Sequence, residues 1–157
     1  MAKLSDVLAY VLGSYPHKHE LSNARVNKII YLADWHHALN YNQQITPISW
    51  YFDNYGPYVD DVKVTARKHP EIFKTEETSN FYGNPKLSFS LICDKPARLT
   101  EAERKSLDFA IEKTKKLYWD DFIKLIYSTH PIASSPRYST LDLVQKAKEY
   151  RKLNKTT

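Results

Sequence analysis

The sequence predicts a mainly α-helical (α+β) fold, a compact helical domain with a small antiparallel β-hairpin insert. Three observations carry this. Apolar residues recur at helical spacing both before residue 70 and after residue 100. Between them the period changes. Leu87, Phe89, Leu91 and Cys93 alternate with Lys86, Ser88, Ser90 and Ile92, as in a half-buried strand. Thr100 and Glu103 then stand at capping-box spacing, where each side chain satisfies an otherwise unpaired backbone N–H and opens a helix.

Taken in order, Leu4, Val7, Leu8, Val11 and Leu12 mark an amphipathic helix over 4–15 that ends near Gly13 and Pro16. A polar connector, His17 to Glu20, follows. Ser22 is suited to cap a second helix over 22–39, with Val26, Ile29, Ile30, Ala33 and His37 on one core face. Asn40 to Asn42 close it, and Ile48 to Phe52 read as a short extended stretch. At Gly56-Pro57 glycine permits a sharp turn and proline suits the first turn of a new helix over 57–68, with Val59, Val62 and Ala66 inward. Residues 72–82, Thr- and Phe-containing, are the weaker partner of the alternating strand, joined to it through Gly83-Asn84-Pro85. In the second helical half, Leu107, Ala110, Ile111, Thr114 and Leu117 make one buried face. Phe122, Leu125 and Ile126 make another over 119–128. Pro131 and Pro136 bracket a loop. Ser139 and Asp142 start a last helix with Leu143, Ala147, Tyr150 and Leu153 inward.

A chain of 157 residues is long enough for one domain with a real core. We therefore read residues 1–157 as a single domain, with 137–157 a basic C-terminal helical extension. Only three glycines argue against a glycine-rich phosphate loop. No apolar run is long enough to span a membrane, and the N-terminus is amphipathic rather than a signal peptide. The lone cysteine, Cys93, leaves no internal disulfide and fits a reducing cytoplasm; at the end of a strand it reads as a buried, inert thiol. Six of 23 basic side chains and two of 18 acidic ones lie in residues 136–157, so that segment carries +4 of the net +5. A nucleic-acid-binding module shows a basic face across its folded body, whereas here the body is balanced.

The stretch that speaks to function joins the second helix to the aromatic turn after it. Lys28, Tyr31, Ala33, Trp35 and His36 are followed by Trp50, Tyr55, Gly56-Pro57, Val59 and Asp60. Further on, Leu99-Thr100-Glu101 opens a helix, and Ser128-Thr129-His130-Pro131 follows a short one. In this order the elements resemble the Panacea domain family, the SocA-like antitoxins, over roughly residues 5–132. The sequence departs from the family pattern at Ser134 to Arg137, where a tryptophan is usual, and at Arg25-Val26-Asn27, where a leucine-rich run is expected. The resemblance implies a cytoplasmic bacterial or phage antitoxin, a non-enzymatic protein that neutralises a cognate toxin by direct binding. An adaptor that delivers the bound toxin to a AAA+ protease is an alternative, as is a nucleic-acid-binding regulator.

The remaining constellations have structural explanations. His36 and His37 are adjacent, so on a helix they point about 100° apart and cannot chelate one ion together. No His-Glu-x-x-His pattern exists, and neither a metal nor another cofactor is expected. Asp60-Asp61 and Asp120-Asp121 sit at helix N-termini, where the helix dipole favours negative charge. Ser128-Thr129-His130 lacks the strand-turn-helix elbow of a nucleophile, and no catalytic residue is assigned. Lys146, Lys148, Arg151, Lys152 and Lys155 read as a solvated helix face, or else as an electrostatic arm for an acidic partner or nucleic acid. The aromatics should divide: Trp35 and Trp50 inside, Tyr51, Tyr55 and Tyr58 partly exposed. The expected partner-binding groove lies between the second helix and the Gly56-Pro57 turn. Tyr31, Asp34 and Trp35 form one wall and Tyr55, Pro57, Tyr58 and Asp61 the other.

Overall fold

The computed structural model describes residues 1–79 and 82–154. Its longest helix, α2 (Asn23–Tyr41), has 14 of 19 residues buried, so other elements must cover it on several sides. Helices α1 (Leu4–Ser14), α4 (Glu101–Thr114) and α7 (Leu143–Asn154) pack along it. The five residues expected on its core face are all buried. The expectation was too narrow, however, because Arg25, Asn27, Lys28 and Asp34 are buried as well.

Local chemistry sets the helix ends. The Ser22 hydroxyl accepts from the Arg25 N–H at 3.2 Å. At the other end Asn42 takes a left-handed conformation (φ 58°), which asparagine tolerates better than most residues. The Lys18 amine donates to the Leu12 and Gly13 carbonyls at 2.7 and 3.1 Å, satisfying the end of α1. Thr100 and Glu103 form the expected capping box. Arg25, where a more leucine-rich run was expected, holds the far end of α4. Its guanidinium donates to the Thr114 and Leu117 carbonyls and the Tyr15 hydroxyl, pairs with Glu20 at 3.1 Å, and lies 4.3 Å from the Phe122 ring centroid.

Strand β1 (Trp50–Asp53) is the middle of a three-stranded antiparallel sheet, with β2 (Gly56–Pro57) on one side and β5 (Thr140–Leu141) on the other. The expected helix over 57–68 therefore starts late, as α3 (Asp61–Lys68). Gly56 (φ 104°) makes the reversal, and Pro57, lacking an N–H, is tolerated because β2 is an edge strand. The hairpin is β3 (Phe73–Ser79) with β4 (Pro85–Leu91), in register from Phe73 opposite Leu91 to Ser79 opposite Pro85. Residues 80 and 81 of the expected strand lie outside the described residues. The expectation for Cys93 fails: it stands beyond the end of β4 and is exposed.

After α5 (Trp119–Ser128) and the short α6 (His130–Ala133), the chain returns through β5 to α7. Asp142 caps α7 by accepting from the Gln145 N–H at 3.0 Å. Leu143 and Ala147 are buried as expected, whereas Tyr150 is partly exposed and Leu153 more so. The basic segment is more than an appendage. Arg151 donates to the Ala38 and Leu39 carbonyls and to Asn42, closing the end of α2. Deleting residues 139–157 would remove a sheet strand and the buried Leu141, Leu143 and Ala147. It should cost about 5 kcal/mol from the aliphatic burial alone. A thermal melt followed by circular dichroism checks this; an unchanged midpoint would mean that the segment is dispensable.

Candidate functional site

The polar residues buried in α2 identify the unusual one among them. Asn27 donates to the Asn23 carbonyl and accepts from the Val59 N–H. His37 shares a hydrogen bond with the Ser106 hydroxyl at 2.9 Å. Asp34 accepts from the Ile45 and Thr46 N–H groups at 2.8 and 3.1 Å, from the Thr46 hydroxyl at 2.6 Å and from the Trp50 indole at 2.9 Å. Burial pushes the Asp34 carboxyl up to about 6, against the pull of those donors. Arg25 is fully engaged, as described above. Lys28, 2% exposed, has neither a hydrogen bond nor an ion pair within the described residues. Burial pushes its amine down to about 8, with the nearby Asp53 acting in the opposite direction.

Lys28 forms part of the wall of a pocket of about 430 Å³. Ala24 and Lys28 supply the α2 side, the Asp53-Asn54-Tyr55 turn and Tyr58 a second side, and Trp119 at the start of α5 a third. Gly56 folds the turn closely over the lysine: a Cβ there would lie 3.6 Å from Lys28 Cε. A larger pocket of about 720 Å³ shares Ala24, Tyr58 and Trp119 with the first and continues toward His19, Leu87 and Tyr118. Along this groove Tyr55, Tyr118 and Trp119 are 77%, 84% and 43% exposed. Tyr58 is half-buried; its hydroxyl accepts from Asn23 at 2.9 Å and donates to Asp60 at 3.1 Å.

The expected division of the aromatics is what the fold gives: Trp35 and Trp50 are buried, Tyr51 and Tyr55 exposed, and Tyr58 between. The expected groove is only partly assembled. Tyr55 and Tyr58 line it and Gly56 shapes it, but Pro57 is buried in β2 and Asp61 is exposed on α3. Tyr31, Asp34 and Trp35 do not form its other wall. Tyr31 is fully buried, shares a hydrogen bond with Thr129 at 2.8 Å, and meets Trp50 edge-on. Asp34 is the buried hub described above. Trp35 packs against His130 and Tyr150, beneath α7. The reason is position along the helix: Ala24, Lys28, Tyr31 and Trp35 share one face of α2, but only Ala24 and Lys28, in its first turns, line the pocket beside the turn. Trp119 and Tyr118 were missed. The available signal was that, with Phe122, Leu125 and Ile126 read inward, no buried role was left for this adjacent aromatic pair.

Other constellations are satisfied locally. The Ser128 and Thr129 hydroxyls donate to the Leu125 and Ile126 carbonyls, and His130 pairs with Glu149 at 2.9 Å. This arrangement gives no Ser-His relay. Among the described residues no group of three His, Cys, Asp or Glu is placed to hold a metal ion. Of the basic α7 residues, Arg151 is spent on α2, Lys146 donates to Ser134, and Lys148 and Lys152 are exposed. Lys155 lies outside the described residues. No helix among the described residues is long and apolar enough to cross a membrane.

A family model described as "Antitoxin SocA-like, Panacea domain" matches residues 26–131. No curated protein and no solved structure matches the chain.

Proposed function

The chain belongs to the SocA-like antitoxin family with the Panacea domain, and on that footing we propose that it neutralises a cognate protein toxin by direct binding. The contact surface is the groove at the N-terminal end of α2. One observation carries this reading. Tyr55, Tyr58, Tyr118 and Trp119, drawn from two distant parts of the chain, converge around two adjoining pockets, three of them exposed and Tyr58 half-buried. Tyrosine and tryptophan are the residues most often found as interface anchors, and exposed aromatic clusters with a polar rim mark protein-binding sites. Binding, not catalysis, is the action proposed, and it takes place in the cytoplasm.

The protein encoded beside this one should arrest growth when induced alone. Co-expression should restore growth, and the two proteins should co-purify. Tyr55→Ala with Tyr58→Ala should abolish the complex, a loss of roughly 100-fold or more for two anchors. The midpoint of unfolding should shift little, since Tyr55 makes few contacts and Tyr58 contributes only two edge hydrogen bonds. Undiminished affinity in the double variant would remove this groove as the site. Rescue without a complex would rule out direct neutralisation.

A further inference from the structure

We propose that the Lys28 pocket is a socket for an acidic side chain of the bound toxin, whose carboxylate meets the Lys28 amine between Tyr55, Tyr58 and Trp119. This rests on the antitoxin reading and adds the chemistry of the partner.

Lys28 is the unexplained group of α2. Its buried polar neighbours on the helix, Arg25, Asn27, Asp34 and His37, each have protein partners, whereas it has no hydrogen bond or ion pair among the described residues. Among the described residues no side-chain nitrogen or oxygen closed off from solvent lacks a hydrogen bond. The Lys28 amine therefore meets the open space of the pocket it lines. A buried charge without a partner is destabilising, and lysines in such positions pair when an anion is brought to them.

The form of the site selects the ligand. One ammonium presents a single point charge, suited to a singly charged carboxylate. Phosphate would call for further donors such as an arginine fork, and Arg25 is committed elsewhere. Besides Asp53 and Asn54 on the turn, the rest of the wall is Ala24 and the aromatic Tyr55, Tyr58 and Trp119, which matches the methylene stem of an acidic side chain. Asp53, on the turn, is the charged group facing the amine; it influences the amine without forming an ion pair. Tyr55 and Tyr58 from the turn, and Tyr127 from α5 beside Gly56, complete the titratable groups around it.

Two measurements test the socket. The first needs no toxin. The free protein, with its lysines labelled with carbon-13 at Cε, is titrated with 3-phenylpropionate and separately with the neutral 3-phenylpropanamide. The acid should move the Lys28 resonance and raise its titration midpoint. The amide should do neither, and Lys28→Met identifies the resonance by its loss. No response to the acid, or an equal response to the amide, overturns the proposal. The second uses the complex with the neighbouring gene product. Wild-type affinity should fall by up to tenfold per pH unit above about 8, where the amine loses its proton. Lys28→Met should bind at least tenfold more weakly at pH 7 and lose that slope. Lys28→Arg, charged throughout, should bind with no slope.

The two readings can fail separately. A response to the acid without growth rescue would keep the socket as a carboxylate site and remove the antitoxin reading. Rescue with a complex whose affinity and pH dependence are unchanged in Lys28→Met would keep the antitoxin and remove the socket.

Discussion

Lys28→Met should unfold at a higher temperature than the wild-type chain at pH 7. The amine titrates near 8 in the folded protein and at its ordinary 10.5 in the unfolded chain. Between those values the unfolded chain holds more protons, so stability rises with pH from about 8 to 10.5. The penalty of burying the charge is fully present below 8. A difference of this size corresponds to about 3 kcal/mol. Methionine follows the path of the lysine stem without the charge and should recover most of it. For a domain of this length that is a rise of roughly 6–12 °C in Tm. The gain should disappear as the comparison is moved above about pH 10.5, where both chains bury a neutral side chain. Melts of both proteins between pH 7 and 11 decide the matter. A lower Tm for the variant at pH 7 would mean that the amine stabilises the fold, and the case for an unpaired lysine would collapse. A group that costs stability where it stands is a mark of function, because selection on the fold alone would replace it.

Asp34→Ala should have an equally large effect of opposite sign. The carboxylate is the common acceptor for three N–H groups, of Ile45, Thr46 and the Trp50 indole, and for the Thr46 hydroxyl. All of these donors are buried. Alanine leaves the three N–H groups without acceptors and opens a void beside Trp50, at a cost of about 3–5 kcal/mol. Asp34→Asn retains one acceptor oxygen and should lose less. The Ile45 and Thr46 amides should exchange with solvent orders of magnitude faster in the alanine variant, because the carboxylate is what holds the segment after α2 against the helix. Wild-type exchange rates at those two amides, with an unchanged melt, would show that the hub is dispensable. Because Asp34 and Lys28 lie on the same helix, this pair of variants separates structure from function along it. One is kept for the fold, the other despite it.

Much of the fold is written in local pattern. The alternation from Lys86 to Cys93 specifies a strand, Thr100 and Glu103 specify a helix start, and Ser22 fixes where α2 begins. These depend on residues within a few positions of one another, so periodicity and side-chain reach suffice to read them. The start of α3 was misread because Pro57 suits a helix N-terminus and an edge strand alike; pairing with Phe52 decided for the strand. Cys93 was misread because alternation says which face a residue takes, not where the covering layer ends.

The site divides along the same line. Sequence alone determined the family, the helical class with its hairpin, and the solvent-facing place of Tyr55 with the partial exposure of Tyr58, since turn residues run along the surface. Only the tertiary structure decided which end of α2 meets that turn. It placed Lys28 and Ala24 in the groove and sent Tyr31, Asp34 and Trp35 into the interior, and it brought Trp119 across from a segment far along the chain. Helical spacing says which residues share a face, not how far along the helix a neighbouring turn packs, and a contact between distant segments leaves no spacing to read. The unpaired charge of Lys28 follows from both: lysine in a sequence is an ordinary surface residue until the packing buries it, here without a hydrogen bond or ion pair among the described residues.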